Sequence, residues 1–194
     1  MKLKTGDIIL CPKENTDGVY SAMMKWVEET FKDNVVLKVI GKYLVEYLAD
    51  QVYNHNYIHT EIYLGNGWQM GAWFNGVHFW KPSLQYYTNV HIYRPKKTVN
   101  PDVILNAANQ EFNKGYDFTS LILNALITLL ALNSEERERA FEDVVSKMYS
   151  DSNNVICSEL VARILASDGI IIEPHTEYVT PDDIAQSDQV ERVL

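Results

Sequence analysis

Apolar side chains recur every three or four residues in several stretches of this chain, which is the spacing of an amphipathic helix. Two such stretches run from Asp17 to about Phe31 and from Val36 to Leu48. Two more, one apolar and one charged, run from about Thr119 to Leu132 and from Glu135 to Tyr149. These patterns predict helical insertions at about 17–50 and 119–150.

Other helices are indicated by their end signals. Asn100-Pro101-Asp102 combines a cap residue, a proline and an acid, which is typical of a helix start, and Gly115 is the expected end of that helix. Thr180-Pro181-Asp182-Asp183 predicts a last helical turn near the C-terminus. Before it, Ile170 to Ile172 predicts a short strand or an extended run.

The apolar spacing changes to two in the middle of the chain, as expected for strands. Gly65-Asn66-Gly67 is a hairpin signal between two such runs, and Asn75-Gly76 predicts a second tight turn. The predicted strands are Asp7 to Cys11, Tyr57 to Leu64, Trp68 to Phe74, Val77 to Trp80 and Val90 to Arg94. They form an antiparallel meander with one face covered by helices, so the predicted fold class is α+β.

Near the C-terminus, Val155, Ile156, Leu160, Val161, Ile164 and Leu165 recur at helical spacing behind three polar residues that can cap a helix, Ser152, Asn153 and Asn154. This spacing places Cys157 in the first turn of an amphipathic helix. Free backbone N–H groups and the helix dipole favour a thiolate there, so Cys157 is a candidate nucleophile. The alternative is a structural role as a small buried residue.

Length and composition set limits on these interpretations. A chain of 194 residues, 46% of them hydrophobic, is long enough for one sizeable core, and we expect one domain over 1–194. With 17 basic and 26 acidic residues and no basic run, nucleic acid and anionic membrane surfaces are poor partners. The run from Leu121 to Leu132 is too short to span a bilayer.

Two cysteines, Cys11 and Cys157, make no disulfide framework, which fits a reducing compartment. The first residues contain no apolar signal core. We expect a soluble protein that is cytoplasmic or is released without a signal peptide, as a phage-encoded protein is at lysis. Neither the cysteines nor the pair His55 and His59 has the clustered spacing of a zinc site, so no metal is predicted.

A cysteine hydrolase needs a base within hydrogen-bond reach of its thiol, usually a histidine. The candidates are His55, His59, His78, His91 and His175. We choose His59, near the start of a predicted central strand, because a strand can direct a side chain towards a helix N-terminus. By spacing alone, a structural histidine is an equally good interpretation.

Five motifs in order resemble the circularly permuted papain-like hydrolases of the NlpC type, relatives of the lecithin:retinol acyltransferase group. The motifs start at Gly6-Asp7-Ile8, His59-Thr60-Glu61, Gly115-Tyr116-Asp117, Cys157-Ser158-Glu159 and Thr180-Pro181-Asp182. In that family, as here, the histidine strand precedes the cysteine helix. The resemblance implies a permuted papain-like fold, Cys157 as nucleophile, His59 as general base and acid, and an oxyanion site built partly from backbone N–H groups of the cysteine helix. It implies no cofactor.

The family usually carries a third polar residue on the strand after the histidine strand, and the matching position here is Gly71. Gln69, two residues earlier and on the same strand face, is our replacement candidate. Glu61 shares a strand face with His59, and we expect it beside that histidine rather than behind it. Without a third residue, the site acts as a dyad or the chain only binds.

Together these features predict a cysteine hydrolase of peptide or isopeptide bonds, with bacterial cell-wall stem peptides as the first substrates to test. One alternative is a lipid-directed acyltransferase or thioesterase using the same residues, with the helix around Leu121 to Leu132 receiving the acyl chain; core packing is the default for that helix. Another is a catalytically silent binding module or virion component. Five aromatic residues either floor a substrate groove or pack in the core: Trp68, Trp73, Phe74, Phe79 and Trp80.

Overall fold

The structure is a computed structural model, which describes residues 2–12, 56–73, 75–83, 87, 89–116, 154–176 and 179–194, with isolated positions between 24 and 42. The chain divides into two units. The first comprises Met1–Pro12, Asn56–Tyr116 and Asn153–Leu194, and the second comprises Lys13–His55 and Asp117–Ser152.

The second unit is described at few positions. Residues 24, 25, 28 and 29 are helical, as are 35, 38 and 42, in agreement with the two helices predicted there. Lys42 Nζ lies 2.9 Å from Glu28 Oε1, so an ion pair joins the two predicted segments. The helices predicted from about Thr119 to Leu132 and from Glu135 to Tyr149 lie outside the described residues.

The first unit is built on a six-stranded sheet in which every neighbouring pair is antiparallel. Its strand order is β4-β3-β2-β1-β5-β8, and a separate parallel pair joins β6 to β7. The strands are β1 Ile8–Pro12, β2 Tyr57–Gly65, β3 Trp68–Trp73, β4 Gly76–Trp80, β5 His91–Pro95, β6 Gly115–Tyr116, β7 Asn154–Val155 and β8 Val190–Arg192. The predicted meander is present for β2, β3 and β4, but its last predicted strand is misplaced, because β5 pairs with β1 rather than with β4. The α+β class is as predicted.

Three helices are described in this unit: α1 Pro101–Glu111, α2 Cys157–Ser167 and α3 Pro181–Gln186. The side chain of Asn100 accepts a 3.1 Å hydrogen bond from Asp102 N at the predicted start of α1. The predicted end of α1 at Gly115 is wrong, because the helix ends at Glu111 and Gly115 belongs to β6. Asn113, with a φ of 65°, provides the left-handed residue of the connection instead.

The hairpin between β2 and β3 contains a bulge that determines which side chains share a face. Asn66 and Gly67 have φ values of 52° and 82°, as a tight turn of this type requires. Gly65 pairs with Trp68, but Tyr63 pairs with Gln69, so Leu64 is an extra residue. An insertion of one residue exchanges the two faces of a strand. Because of this bulge, the odd-numbered side chains of β3 lie on the same face of the sheet as Glu61 and Tyr63 of β2.

Two smaller predictions need correction. Gly76 already pairs with Trp73 as the first residue of β4, so it is not part of the second turn, which was predicted at Asn75-Gly76. Of the two alternatives predicted for Ile170 to Ile172, the strand is not present, and β8 is the edge strand beside β5. A strand at Val190-Glu191-Arg192 was not predicted because only one of its three residues is apolar.

Helix α2 packs its apolar side on the sheet. Leu160, Val161, Ile164 and Leu165 are fully buried in one cluster with strand residues that include Ile8, Leu10, Ile62, Met70 and Ala72. Each buried side chain of this size contributes about 1.5–3 kcal/mol of transfer free energy. The packing therefore holds the start of α2 against the sheet. No helix in the described part of the chain is long and apolar enough to cross a bilayer.

Candidate active site

Cys157 is the first residue of α2. Ile156 precedes it as the N-cap residue and offers no polar side chain, so the predicted cap from Ser152, Asn153 or Asn154 is not what begins this helix. The carboxylate of Glu159 instead accepts a 3.4 Å hydrogen bond from Ile156 N. The capping interaction thus comes from inside the first turn, on the same turn that carries the thiol.

Arg163 holds this first turn in place. Its Nη2 atom lies 2.5 Å from Glu159 Oε1, and its Nη1 atom lies 3.7 Å from Glu111 Oε2 at the end of α1. Glu111 also forms a 2.8 Å ion pair with Lys114. These contacts join α1 to α2 and fix the orientation of the helix that carries Cys157.

The thiol of Cys157 is buried and lies within interaction range of His59. Burial raises the pKa of the thiol. The charge of the His59 imidazole and hydrogen bonding to it act in the opposite direction and lower that pKa. The backbone N–H groups of Thr60 and Ser158 act in the same direction. The net pKa of Cys157 lies below its usual value of 9.0. The site therefore favours the thiolate, the nucleophilic form of cysteine.

His59 lies on β2, opposite Cys11 of β1, and is 6% exposed. Burial lowers the pKa of its imidazole, but the Cys157 thiolate and then Glu61 raise it, and the net pKa lies well above the usual 6.5. The pKa of Cys157 falls while the pKa of His59 rises. This opposite movement favours a thiolate–imidazolium pair, the resting form of an activated cysteine nucleophile.

Glu61 lies two residues after His59 on β2 and is fully buried. Its Oε1 atom is 3.4 Å from His59 Nε2, an ion-pair distance. Its Oε2 atom accepts a 3.1 Å hydrogen bond from Gln69 Nε2, and Gln69 Oε1 accepts a 3.2 Å hydrogen bond from the Tyr87 hydroxyl. Burial raises the pKa of Tyr87 to about 12, so this hydroxyl remains a neutral donor.

Gly71 of β3 is directly opposite Glu61. A Cβ atom at this glycine would lie 3.0 Å from Glu61 Cγ, 3.1 Å from Glu61 Oε1 and 3.0 Å from Trp73 Nε1. Real Cβ atoms rarely make contacts that short. The absence of a side chain at position 71 therefore leaves the space that the Glu61 carboxylate occupies.

Trp73 covers one side of the imidazole. Its ring centroid is 4.1 Å from that of His59, with an angle of 45° between the planes, and Trp80 meets Trp73 edge-on at 6.2 Å. The other aromatic candidates separate from this pair. Phe79 stacks on Phe112 at 4.9 Å, Trp68 is 47% exposed, and Phe74 lies outside the described residues. Trp73 is thus a predicted groove aromatic whose ring contacts His59.

The predicted residues do not all meet directly. Cys157 and His59 come together, whereas Gln69 reaches the histidine through Glu61, and within the described part of the chain no hydrogen bond joins Gln69 to His59 directly. The contributions of Tyr87 and of the Thr60 backbone were not predicted, whereas the Ser158 backbone N–H belongs to the free groups at the start of the cysteine helix that were expected to favour the thiolate. A backbone donor cannot be recognised from the residue type. The acid at Glu61, two positions after the histidine, can be recognised in the sequence.

Of the remaining histidines, His78 and His91 lie in other contacts, and His175 is exposed. His91 Nδ1 is 2.8 Å from the Tyr57 hydroxyl, and His78 Nε2 is 3.0 Å from the Asn75 carbonyl. His55 lies outside the described residues. Among the residues that are described, no group of three or more His, Cys, Asp or Glu side chains has the arrangement of a metal site.

Comparison of the chain with protein-family models, with curated proteins and with solved structures finds no match.

Proposed function

We propose that this chain is a cysteine hydrolase that cleaves amide bonds through an acyl-enzyme on Cys157. The observation that carries the proposal is the pairing of Cys157 with His59, in which the thiol pKa falls and the imidazole pKa rises. A cysteine with a purely structural role in a core has its pKa raised by burial and needs no imidazole beside it. The pairing is what a nucleophile and its proton carrier require.

In the first half of the reaction, the Cys157 thiolate attacks the carbonyl carbon and the carbonyl electron pair moves to oxygen. Backbone N–H groups at the start of α2 stabilise the resulting oxyanion. The intermediate collapses, the C–N bond breaks, and the His59 imidazolium donates its proton to the leaving amine. The products are a Cys157 thioester, a free amine and a neutral His59.

In the second half, neutral His59 accepts a proton from water as the water oxygen attacks the thioester carbonyl. The C–S bond then breaks, which releases a carboxylic acid and regenerates the thiolate beside the imidazolium. No cofactor takes part in this scheme. The cycle requires His59 to act first as acid and then as base, which its contact with both Cys157 and Glu61 supports.

A permuted papain-like fold is the finer part of this proposal. The antiparallel sheet, the buried start of α2 and the order in which β2 precedes α2 support it. By the resemblance of the five motifs, the proposed substrate is a peptide or isopeptide, and cell-wall stem peptides are the first to test. The alternatives, an acyltransferase or thioesterase and a silent binding module, are outcomes of the same test.

The test is trapping of the acyl-enzyme. The protein and its Cys157→Ala variant are mixed with activated esters of stem-peptide fragments and, separately, with a long-chain acyl ester, and each adduct is located by peptide mass. The proposal predicts a peptidyl adduct on Cys157 that turns over and is absent from the variant. Faster acylation by the long-chain ester supports the acyltransferase alternative, and no adduct on Cys157 from either probe contradicts hydrolase activity.

A further inference from the structure

Glu61 is an unusual residue for the interior of a sheet. Its carboxylate is fully buried, and an isolated ionised carboxylate in such surroundings costs several kcal/mol unless it is paired. Its contacts include the Gln69 amide at 3.1 Å and His59 Nε2 at 3.4 Å. A carboxylate placed this way stabilises a positive charge on the imidazole, so its burial has a specific use in this site.

The space for this carboxylate comes from the opposite strand. Gly71 and Glu61 are register partners, and a Cβ atom at position 71 would lie 3.1 Å from Glu61 Oε1. Gly71 does not have a positive φ, so its backbone conformation does not require glycine. The glycines with a positive φ are Gly6, Gly65, Gly67, Gly76 and Gly169. Space for a neighbouring side chain, rather than conformational freedom, is therefore what glycine provides at position 71.

We propose that Glu61 is the positioning residue of this site, that it holds the His59 imidazole from the histidine's own strand, and that Gly71 serves to make room for its carboxylate. This inference rests on the proposed function. An acid at position 61 and a glycine at position 71 place the carboxylate in the volume that a side chain on β3 would otherwise fill. A chain lacking a polar residue at position 71 thus still provides a third group.

The contact at Nε2 determines the useful tautomer of His59. With Nε2 occupied by the charge contact to Glu61 Oε1 at 3.4 Å, Nδ1 is the nitrogen left to exchange protons with the thiol. Gln69 binds the second carboxylate oxygen and keeps Glu61 in this orientation, and Tyr87 in turn holds Gln69. Gln69 therefore acts on the histidine through Glu61, one step further away than the sequence suggested.

Other ionisable side chains near His59 come from each neighbouring element. They are the Cys157 thiol on α2, Cys11 opposite His59 on β1, and His78 on β4, which is the register partner of Gly71. A test of Glu61 must separate its effect from theirs. Glu61→Gln does so, because it keeps the shape and removes only the charge.

The experiment measures the pKa of His59 by NMR of its ring C–H groups and the rate of Cys157 alkylation by iodoacetamide against pH. Glu61→Gln is expected to lower the His59 pKa by about one unit or more and to slow Cys157 alkylation at neutral pH by about tenfold. Asp7→Asn is the matched control, because Asp7 is a buried carboxylate that binds Arg94 instead of a histidine. It is expected to leave both readouts unchanged.

A cross-strand exchange tests the role of Gly71. Gly71→Glu alone places two carboxylates in one volume, and we expect it to disturb the His59 pKa and to slow Cys157 alkylation. In the double variant, Glu61→Gly with Gly71→Glu, we expect both quantities to return part of the way to the parent values. The inference is overturned if Glu61→Gln has the His59 pKa and the Cys157 alkylation rate of the parent. It is also overturned if the double variant is further from the parent in both quantities than Glu61→Gly alone and Gly71→Glu alone. If Cys157 is unreactive in the parent itself, the proposed function fails, which is a different result.

Discussion

Two buried carboxylates, Asp7 just before β1 and Glu61 on β2, have opposite kinds of partner. Asp7 is fully paired: Arg94 Nε and Nη2 each donate to it at 2.7 Å, and Lys4 N donates a third hydrogen bond at 2.8 Å. Glu61 faces His59 at 3.4 Å, and His59 Nε2 has no aligned hydrogen bond among the described residues. Both groups are at least 99% buried. The difference between them lies in the partner.

The arginine of the first pair keeps its charge at any moderate pH, because an arginine does not deprotonate in a protein. The second pair includes a histidine, whose charge can appear and disappear as a reaction proceeds. A bidentate arginine pair fixes the β1–β5 contact, whereas a looser contact to an imidazole allows the proton on that imidazole to change. A buried carboxylate whose partner is a histidine is therefore an indicator of chemistry in this molecule.

The largest expected effect is on stability at the fully paired carboxylate. Asp7→Asn replaces the charged partner of the Arg94 guanidinium by a neutral amide, and we expect the free energy of unfolding to fall by about 2–3 kcal/mol. Urea unfolding measures this change. Alkylation of Cys157 by iodoacetamide should be unchanged in the folded variant, and a variant in which both quantities move would remove the distinction between the two carboxylates.

Gly71→Ala is expected to affect both stability and the site. The added methyl group crowds Glu61 and Trp73, so the free energy of unfolding should fall by about 1–3 kcal/mol and the pKa of His59 should fall as the carboxylate moves away. Thermal unfolding and NMR titration of His59 measure the two effects. Gly65→Ala is the matched control: its φ of 101° makes it destabilising, but it should leave the His59 pKa in place.

Tyr87→Phe has the smallest expected effect. It removes the 3.2 Å hydrogen bond to Gln69, which lowers the free energy of unfolding by about 1 kcal/mol and slows Cys157 alkylation by less than about threefold. Tyr93→Phe removes a comparable buried hydroxyl, which lies 3.0 Å from the Tyr57 hydroxyl, and should change stability alone. Equal alkylation rates in the two variants would show that the Tyr87 hydroxyl does not support the site.

The pKa shifts also predict the pH limits of turnover. Because the pKa of Cys157 is lowered from 9.0, the thiolate forms as pH rises through that lowered value, and the rate rises there. Because the pKa of His59 is raised from 6.5, the imidazolium that protonates the leaving amine is lost only as pH rises through that raised value. Peptide turnover against pH should therefore be bell-shaped, and Glu61→Gln should move its alkaline limb to lower pH.

Much of this arrangement was predictable from the sequence. The period of two, the Gly65-Asn66-Gly67 turn and the spacing around Cys157 gave the meander and the cysteine helix. In a hairpin without a bulge, Glu61 would pair with Ala72. Gln69 and Gly71 would then lie on the opposite face of the sheet from Glu61. The extra residue at Leu64 reverses this result, and apolar spacing gives no sign of such a bulge.

The position of the Glu61 carboxylate was harder to predict for a related reason. Alternation correctly puts Glu61 on the face of His59, but whether its side chain turns back to Nε2 depends on the cross-strand neighbour. That neighbour is Gly71, and its identity follows only from the bulged register. The sequence therefore contained both residues without the register that relates them.

The claim that His59 activates Cys157 is tested most directly by the pH dependence of alkylation at each cysteine, in the parent and in His59→Ala. Peptide mass shows which cysteine carries the adduct. Cys11 is the reference in the same digest. We expect Cys157 to react at a pH well below the pKa of a free thiol and to lose this reactivity without His59. If Cys157 reacts no faster than Cys11 at any pH, and His59→Ala changes nothing, the claim is contradicted.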